Sequence, residues 1–251
     1  MILTPAGSTG AVAGSGLTHQ RRWESARLAV FELVLLVVLL HVYDLVAPHA
    51  AGDVTDADAH SRAVWGLESA WGIDVEPSWY AALAGHPWLS GAAHLYYADS
   101  IYLAPALVAI LLVVRDVEGY RSMRTAFVAT TLIAYAAFWL YPTAPPCLLP
   151  GSGLTCGEPA PPDPFAAMPS LHVAWAGVVA IGLALLSTQA WVRALGVVHV
   201  VVTIAVVLAT GHHFVLDTVA GLVVAAGAFA LTRVLPGREA SRGSDPIPVL
   251  I

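Results

Sequence analysis

The stretch from Ala194 to Asp217 reads ALGVVHVVVTIAVVLATGHHFVLD. Its first part is an almost unbroken apolar run, long enough to cross a bilayer as a helix. The run ends at His212 and His213, which lie close to the carboxylate of Asp217. A second polar motif, MPSLH at 168–172, lies at the start of the preceding apolar run. Ionisable groups at a membrane boundary cost free energy, so both motifs indicate a functional site.

The composition of the whole chain agrees with this membrane interpretation. Of its 251 residues, 58% are hydrophobic and 11% are charged, with a mean hydropathy of +0.74. Such values are typical of a helical protein that spans a membrane several times. The net charge of −6 argues against a nucleic-acid partner, which would need a basic face. The two cysteines cannot form a zinc-type cluster, and no glycine-rich nucleotide loop is present.

Six apolar runs are each close to the length that crosses a bilayer. They are 26–47, 93–114, 125–142, 169–187, 192–210 and 214–235. Inside lipid these runs must be helices, because isolated strands would leave backbone groups unpaired. The sequence therefore predicts an all-α fold, a polytopic membrane helical bundle with about six transmembrane helices.

The arginines predict how this bundle is oriented. The chain has no lysine, and with six spans ten of its eleven arginines fall on one side of the membrane. Only Arg62 falls on the other side. By the positive-inside rule, both termini are cytoplasmic and the protein is a multi-pass protein of the cell membrane. The segments 48–92 and 143–168 and the turn at 210–213 then face outward, so we expect the site at the extracytoplasmic face.

One membrane domain is expected, at 25–236, between two disordered cytoplasmic tails. The tail at 1–24 is rich in small and polar residues, and the tail at 237–251 resembles it. A cleaved signal peptide ending near Ala50 is an alternative for the first run, although that run is long and carries acidic residues.

Two outward segments flank the expected site. The segment 48–92 is expected to hold a surface-anchoring helix around Trp65 and Trp71 rather than a lid over the substrate. The proline-rich segment that follows Tyr141 is expected to form a stiff loop. Cys147 and Cys156 lie in it on the outward side, where thiols are oxidised, so we expect a disulfide between them.

The polar motifs carry the residue types that phosphoryl transfer needs. Pro169 suits the first turn of a helix, and the amides of a helix that starts at Ser170 could bind phosphate beside His172. His213 and Asp217 are four residues apart and share one helix face, so the carboxylate could fix the imidazole tautomer. A metal site is an alternative in which His172, His212, His213 and Asp217 are the ligands.

These motifs resemble the type-2 phosphatidic acid phosphatase superfamily, over about 60–241. The resemblance is carried by SLH at 170–172 after Pro169, followed one helical hairpin later by His213 and Asp217. The strings YPTAPP at 141–146 and PFAAMPSLH at 164–172 are similar to the inositolphosphotransferase branch, which includes inositol phosphorylceramide synthases.

The resemblance implies catalytic roles for three residues and no cofactor or metal. His213 would attack phosphorus and form a phosphohistidine, Asp217 would orient His213, and His172 would serve as general acid and then base. Arginines that bind phosphate in the family are missing here: Val207 stands at one such position and Cys147 at another.

Four residues are predicted to bind the substrate. Positive charge on the outward side can come only from Arg62 and the histidines, of which His212 is nearest to the nucleophile. Ser170 can donate its hydroxyl, and Asp99 in the second span could bind a polar headgroup or join helices.

The expected partner is the lipid bilayer itself, with a membrane lipid as substrate, either a phospholipid or an isoprenoid phosphate. The expected activity is that of a lipid phosphatase or phosphotransferase, which would move a phosphoryl or phospho-polyol group such as inositol phosphate. Water as acceptor makes it a phosphatase and an alcohol makes it a transferase. A non-catalytic lipid-binding protein that retains the fold is the alternative, and the sequence makes no prediction of oligomeric state.

Overall fold

A computed structural model describes residues 54–156 and 164–234, together with Arg27, Phe31, Val34 and Val38. The chain divides into two units, Met1–Leu45 and Val46–Ile251. In the first unit the four single positions are helical. The rest of the first predicted span, both predicted tails and the predicted signal-peptide site lie outside the described residues.

Seven α-helices make up the described part of the second unit. They are α1 (Val54–Trp71), α2 (Glu76–Ala84), α3 (Pro87–Arg115), α4 (Val117–Leu140), α5 (Leu171–Leu186), α6 (Ala190–Ala209) and α7 (Val215–Val234). A short 3-10 turn covers Pro146–Leu148, and Thr143 and Ala166 form an isolated parallel bridge. Between 54 and 234, outside the gap at 157–163, there is no strand, so the predicted all-α class is confirmed there.

Four of these helices are long and apolar enough to cross a membrane: α3, α4, α6 and α7. They match four of the predicted runs. The run at 169–187 corresponds to α5, which has only 16 residues because Ser170 caps its start and Ser187 ends it. At 1.5 Å per residue it spans roughly 24 Å, less than the roughly 30 Å of hydrocarbon. The described residues thus form a multi-pass membrane bundle with four candidate spans and a shorter apolar helix.

Helix α5 lies at the centre of the bundle, where it packs against α3, α4, α6 and α7. Its sequence is apolar on all sides, as a helix surrounded by others requires. A core of Val108, Leu112, Met123 and Val178 fills the space between α3, α4 and α5. The short central helix is therefore held on every side, and its first turn presents the 170–172 motif.

Helix α1 packs on the proline-rich loop and on α7. Its buried face consists of Ala57, Ser61, Val64 and Glu68. The Ser61 hydroxyl donates to the Ala144 carbonyl at 2.8 Å. Anchoring through the exposed side of this helix stays a prediction. The buried face escaped a search for apolar periodicity because two of its positions, Ser61 and Glu68, are polar.

The proline-rich loop is fastened to the turn that follows α6. Cys147 and Cys156 form a disulfide, with their Cα atoms 4.8 Å apart. The Cys147 amide donates to the Gly211 carbonyl at 2.9 Å. In the same loop, the Thr143 amide donates to the Phe165 carbonyl at 2.9 Å. The two family-like strings at 141–146 and 164–172 are thus in direct contact.

Candidate active site

His213 stands in the turn between α6 and α7, and the residue is 4% exposed. Gly211 makes this turn possible, because its φ of +72° is one that side chains other than glycine rarely adopt. The His213 Nδ1 lies 2.9 Å from the Ala167 carbonyl oxygen. A carbonyl only accepts, so Nδ1 carries a hydrogen and donates, and in the neutral ring Nε2 keeps its lone pair.

Burial lowers the pKa of His213 to about 4, while the bond to Ala167 works in the opposite direction. The imidazole is therefore neutral at physiological pH. A neutral imidazole with an unprotonated Nε2 is the form that can attack phosphorus.

Asp217 lies beside His213 but its closest hydrogen bond goes elsewhere. Its Oδ2 is 3.4 Å from Nδ1 of His213 and accepts from the Phe214 amide at 2.9 Å. The carboxyl is fully buried, and its Oδ1 has no hydrogen-bond partner among the residues that the structure describes. The tautomer of His213 is thus fixed first by the backbone of Ala167, with Asp217 as the nearest acidic neighbour.

His172 lies in the first turn of α5 and faces His213, with 5.9 Å between the ring centroids. Its Nε2 is 3.2 Å from the Tyr97 carbonyl oxygen. The two histidines are 41 positions apart in the chain, and the packing of α5 against α7 brings them together. This is the arrangement that one nucleophile and one acid–base group need.

Tyr97 on α3 connects the histidines, a role that the sequence analysis did not predict. Its ring stacks on His172 at 4.0 Å and on His212 at 4.2 Å between centroids. His94, one turn earlier on α3, meets the edge of His212 at 6.0 Å. We call His94, Tyr97, His172, His212 and His213 the histidine cluster. The spacing of three between 94 and 97 places both on one helix face, which is the signal that could have found them.

His212 is held in one tautomer. Its Nδ1 lies 2.9 Å from the Thr210 hydroxyl oxygen, and that hydroxyl donates to the Val206 carbonyl at 2.7 Å. The hydroxyl hydrogen is therefore used, so Nδ1 of His212 donates and Nε2 is left without a proton. Burial, then His213 and His94, lower the pKa of His212 to about 3.

Ser170 is fully buried and caps α5, accepting from the Val173 amide at 3.4 Å. Its own amide donates to the Asp217 carbonyl at 3.0 Å. A Cβ on Gly221 would lie 2.5 Å from the Ser170 carbonyl oxygen, so only glycine allows α7 to come this close. The sequence predicts Pro169 in the first turn of the helix. In the structure Pro169 instead precedes the cap, because Ser170 takes the capping position and the helix begins at Leu171.

The two remaining predicted binding residues are both exposed. Asp99 is exposed on α3, and two residues from Tyr97 it lies on another side of the helix. Arg62 is exposed on α1, with its guanidinium 3.8 Å from the Asp58 carboxylate. Val207, which replaces an expected arginine, is 1% exposed and packs in an apolar cluster with Val173 and Leu208.

Among the described residues, no three side chains of His, Cys, Asp or Glu are arranged as a metal site requires. The four histidines of the cluster interact through ring contacts and through bonds to backbone or hydroxyl oxygens. The alternative in which His172, His212, His213 and Asp217 hold a metal has no support from this geometry.

A family model described as the PAP2 superfamily matches residues 62–231. The chain belongs to the PAP2 superfamily. The match covers both histidine motifs and extends from α1 into α7. A search of curated proteins finds no match, and a search of solved structures finds none either. Membership together with the apolar helices establishes a multi-pass membrane protein of a phosphatase-type superfamily, and implies lipid phosphatase-like activity.

Proposed function

We propose that this PAP2 superfamily protein is an integral membrane lipid phosphatase or phosphotransferase that acts through a phosphohistidine on His213. The observation that supports this most is the pairing of His213 and His172 at the starts of two packed helices. Their rings are 5.9 Å apart, and Nε2 of His213 is left without a proton by the bond from Nδ1 to Ala167.

The reaction would take place in two displacements. In the first, Nε2 of His213 attacks phosphorus, the bond to the leaving oxygen breaks, and that oxygen takes a proton from protonated His172. In the second, His172 removes a proton from water or an alcohol, whose oxygen attacks the phosphohistidine and frees His213. One imidazole thus serves as acid and then as base.

The start of α5 and His212 would stabilise the negative charge of the phosphate. The amides and partial positive charge of a helix start stabilise an anion, and the Ser170 hydroxyl still has its hydrogen to donate. His212 is neutral in the free protein because burial lowers its pKa to about 3. It would become a cation when phosphate binds nearby. Asp99 and Arg62 could contact only the headgroup beyond the histidine cluster.

The finer assignment is transfer of an inositol phosphate-like group from a phospholipid, with hydrolysis of an isoprenoid phosphate as the other option. Its support is that the two branch-like strings contact each other through Thr143 and Phe165, and that Ala167 within them holds His213. Orientation with both termini in the cytoplasm and the site at the outer face of the cell membrane belongs to the same proposal, on the basis of arginine placement.

The test is turnover of phosphatidic acid, phosphatidylinositol and isoprenoid phosphates by the full-length protein in detergent, with and without an alcohol acceptor, a lipid alcohol for transfer of inositol phosphate or inositol for transfer of phosphate. We expect His213→Ala and His172→Ala to abolish release and transfer. His86→Ala is the matched control, since this exposed histidine lies outside the cluster. Equal turnover by wild type and both cluster variants contradicts the proposal.

A non-catalytic lipid-binding protein is the second candidate, and Val207 is the observation that favours it. This buried valine leaves the cluster without the arginine expected at that position. The same assay separates the two candidates, because a binding protein retains lipid but turns none over.

A further inference from the structure

The first amides of α7, which directly follow His213, are bound by carboxylates from distant parts of the chain. The Val215 amide donates to Oε1 of Glu76 at 2.8 Å. The Leu216 amide donates to Oε1 of Glu68 at 2.6 Å. These are amides that a helix cannot satisfy internally, and a side chain just before the helix usually takes that role. Here the acceptors are 139 and 148 residues away.

Both carboxyl groups are deeply buried. Glu68 on α1 is 0% exposed and Glu76 at the start of α2 is 2% exposed. Burying a carboxyl group costs free energy unless hydrogen bonds and partial charges compensate. The partial positive charge and free amides of the α7 start provide that compensation. The placement of α1 and α2 is therefore tied directly to the segment that carries His213.

The two carboxyl groups also interact with each other. Burial and the neighbouring Glu76 and Asp217 raise the pKa of Glu68 to about 8. At neutral pH Glu68 therefore keeps a proton. Oε2 of Glu68 has no hydrogen-bond partner among the described residues.

Three sets of hydrogen bonds therefore fix the turn that contains His213. The His213 amide donates to the Val207 carbonyl at 3.3 Å, and its Nδ1 donates to Ala167. The third attachment is the pair of carboxyl groups that binds the next amides. The first two fix the turn to α6 and to the loop, and the third fixes it to α1 and α2.

We propose that Glu68 and Glu76 are positioning residues, which hold the start of α7 so that Nε2 of His213 faces the phosphorus atom. This inference rests on the proposed function, because it concerns the attack by His213. What matters is an acceptor oxygen at the right place, so a neutral acceptor of the same length replaces the carboxyl.

The test compares Glu76→Gln with Glu76→Asp and Glu76→Ala, using the lipid that the wild-type protein turns over. Glutamine keeps an oxygen at the same reach, and we expect kcat within about twofold of wild type. Aspartate keeps the charge but withdraws the oxygen by one methylene. For Asp and Ala we expect kcat to fall roughly 100-fold with KM unchanged, as small misplacements of a reacting group do.

The variant Leu112→Ala is the control for a loss of stability alone. It removes a fully buried side chain near the end of α3, away from Tyr97 and the histidine cluster. That variant should lower the unfolding temperature and leave kcat of the folded protein unchanged. If Glu76→Ala does not fold, the comparison of Gln with Asp decides alone. Loss in Gln equal to the loss in Asp overturns the positioning proposal, and so does wild-type kcat in Asp.

The two proposals can fail separately. If His213→Ala retains wild-type turnover, or if the wild-type protein turns over no lipid, the proposed function fails and this inference fails with it. If His213→Ala is inactive while Glu76→Asp and Glu76→Ala match wild type, the function stands and the positioning role alone is refuted.

Discussion

Helices α5 and α7 begin side by side, yet their first turns are capped in opposite ways. The start of α5 is capped by the neutral hydroxyl of Ser170. The start of α7 is bound by the carboxyl groups of Asp217, Glu76 and Glu68. The single hydroxyl at α5 leaves other first-turn amides and the partial positive charge of that helix available to an anion, whereas three carboxyl oxygens already accept from the amides at the start of α7. The first helix start is suited to bind phosphate and the second to hold the nucleophile still.

The two helix starts should differ most in the catalytic roles of their histidines, His172 at α5 and His213 before α7. If His172 is the general acid, its replacement by Ala should lower kcat roughly 10³-fold for a lipid with an alkoxide leaving group. The loss should shrink for a phosphate ester with a good leaving group such as p-nitrophenolate, which needs no proton. Values of kcat/KM, which report the first displacement, provide the check for both substrate types, and an equal loss of kcat/KM on both contradicts the assignment.

Ser170→Asp would make the start of α5 resemble that of α7. Aspartate is also a good helix cap, so the helix should form, but its charge opposes the phosphate. We expect kcat/KM to fall roughly 100-fold, since like charges in a binding site cost several kcal/mol. Ser170→Asn is the control, because asparagine has the same size as aspartate but no charge. The idea fails if Asp and Asn variants have the same kcat/KM.

The close contact of the two helix starts depends on Gly221. An added methyl group would lie 2.5 Å from the Ser170 carbonyl oxygen, so the backbones must separate. We expect Gly221→Ala to destabilise the protein by about 1–3 kcal/mol and to lower activity. Gly227→Ala on the same helix, with nothing within 4 Å of the new Cβ, should be neutral. Thermal unfolding and turnover of the two variants test this, and equal behaviour argues against the contact.

Phosphate binding should depend on pH through His212. Its pKa of about 3 in the free protein rises when an anion binds, so binding takes up a proton. Affinity for inorganic phosphate should therefore fall by up to about tenfold per unit as pH rises from the free to the bound pKa. Inhibition constants between pH 5 and 8 measure this. In His212→Gln the dependence should be reduced, and an unchanged slope would remove His212 from the phosphate site.

The buried carboxyl groups at the start of α7 should make the free energy of unfolding decrease as pH rises. The pKa of Glu68 rises from 4.5 to about 8 on folding, so the folded state binds a proton that the unfolded state releases. Stability is then greatest below about pH 4.5 as far as this group is concerned, and is lost as pH rises through about 8. Unfolding temperatures at pH 6 and pH 9 should show the decline in wild type and a smaller one in Glu68→Gln.

The long helices and the histidine motifs could be predicted from the sequence, because both are local features. Apolar runs set α3, α4, α6 and α7, and spacing pairs His213 with Asp217. The PAP2 resemblance is confirmed by the family match, whereas the inositolphosphotransferase branch remains a proposal.

The contacts that position the site could not be predicted in this way, because they join residues far apart in the chain. Ala167 lies 46 positions from His213, and its backbone oxygen carries no sequence signal. Glu68 and Glu76 look like ordinary surface acids until α1 and α2 are placed against α7. The shortness of α5 depends on capping by Ser170, which a count of apolar residues does not include.

The central claim is that His213 carries the phosphoryl group, and trapping the intermediate tests it most directly. The protein would be mixed with a lipid whose phosphate group carries ³²P. The reaction would be quenched under alkaline denaturing conditions, and the protein would be digested for mass spectrometry. We predict an acid-labile phosphate on the peptide that contains His213, present in wild type and absent in His213→Ala. Label on His172, or turnover without any labelled histidine, would contradict the account.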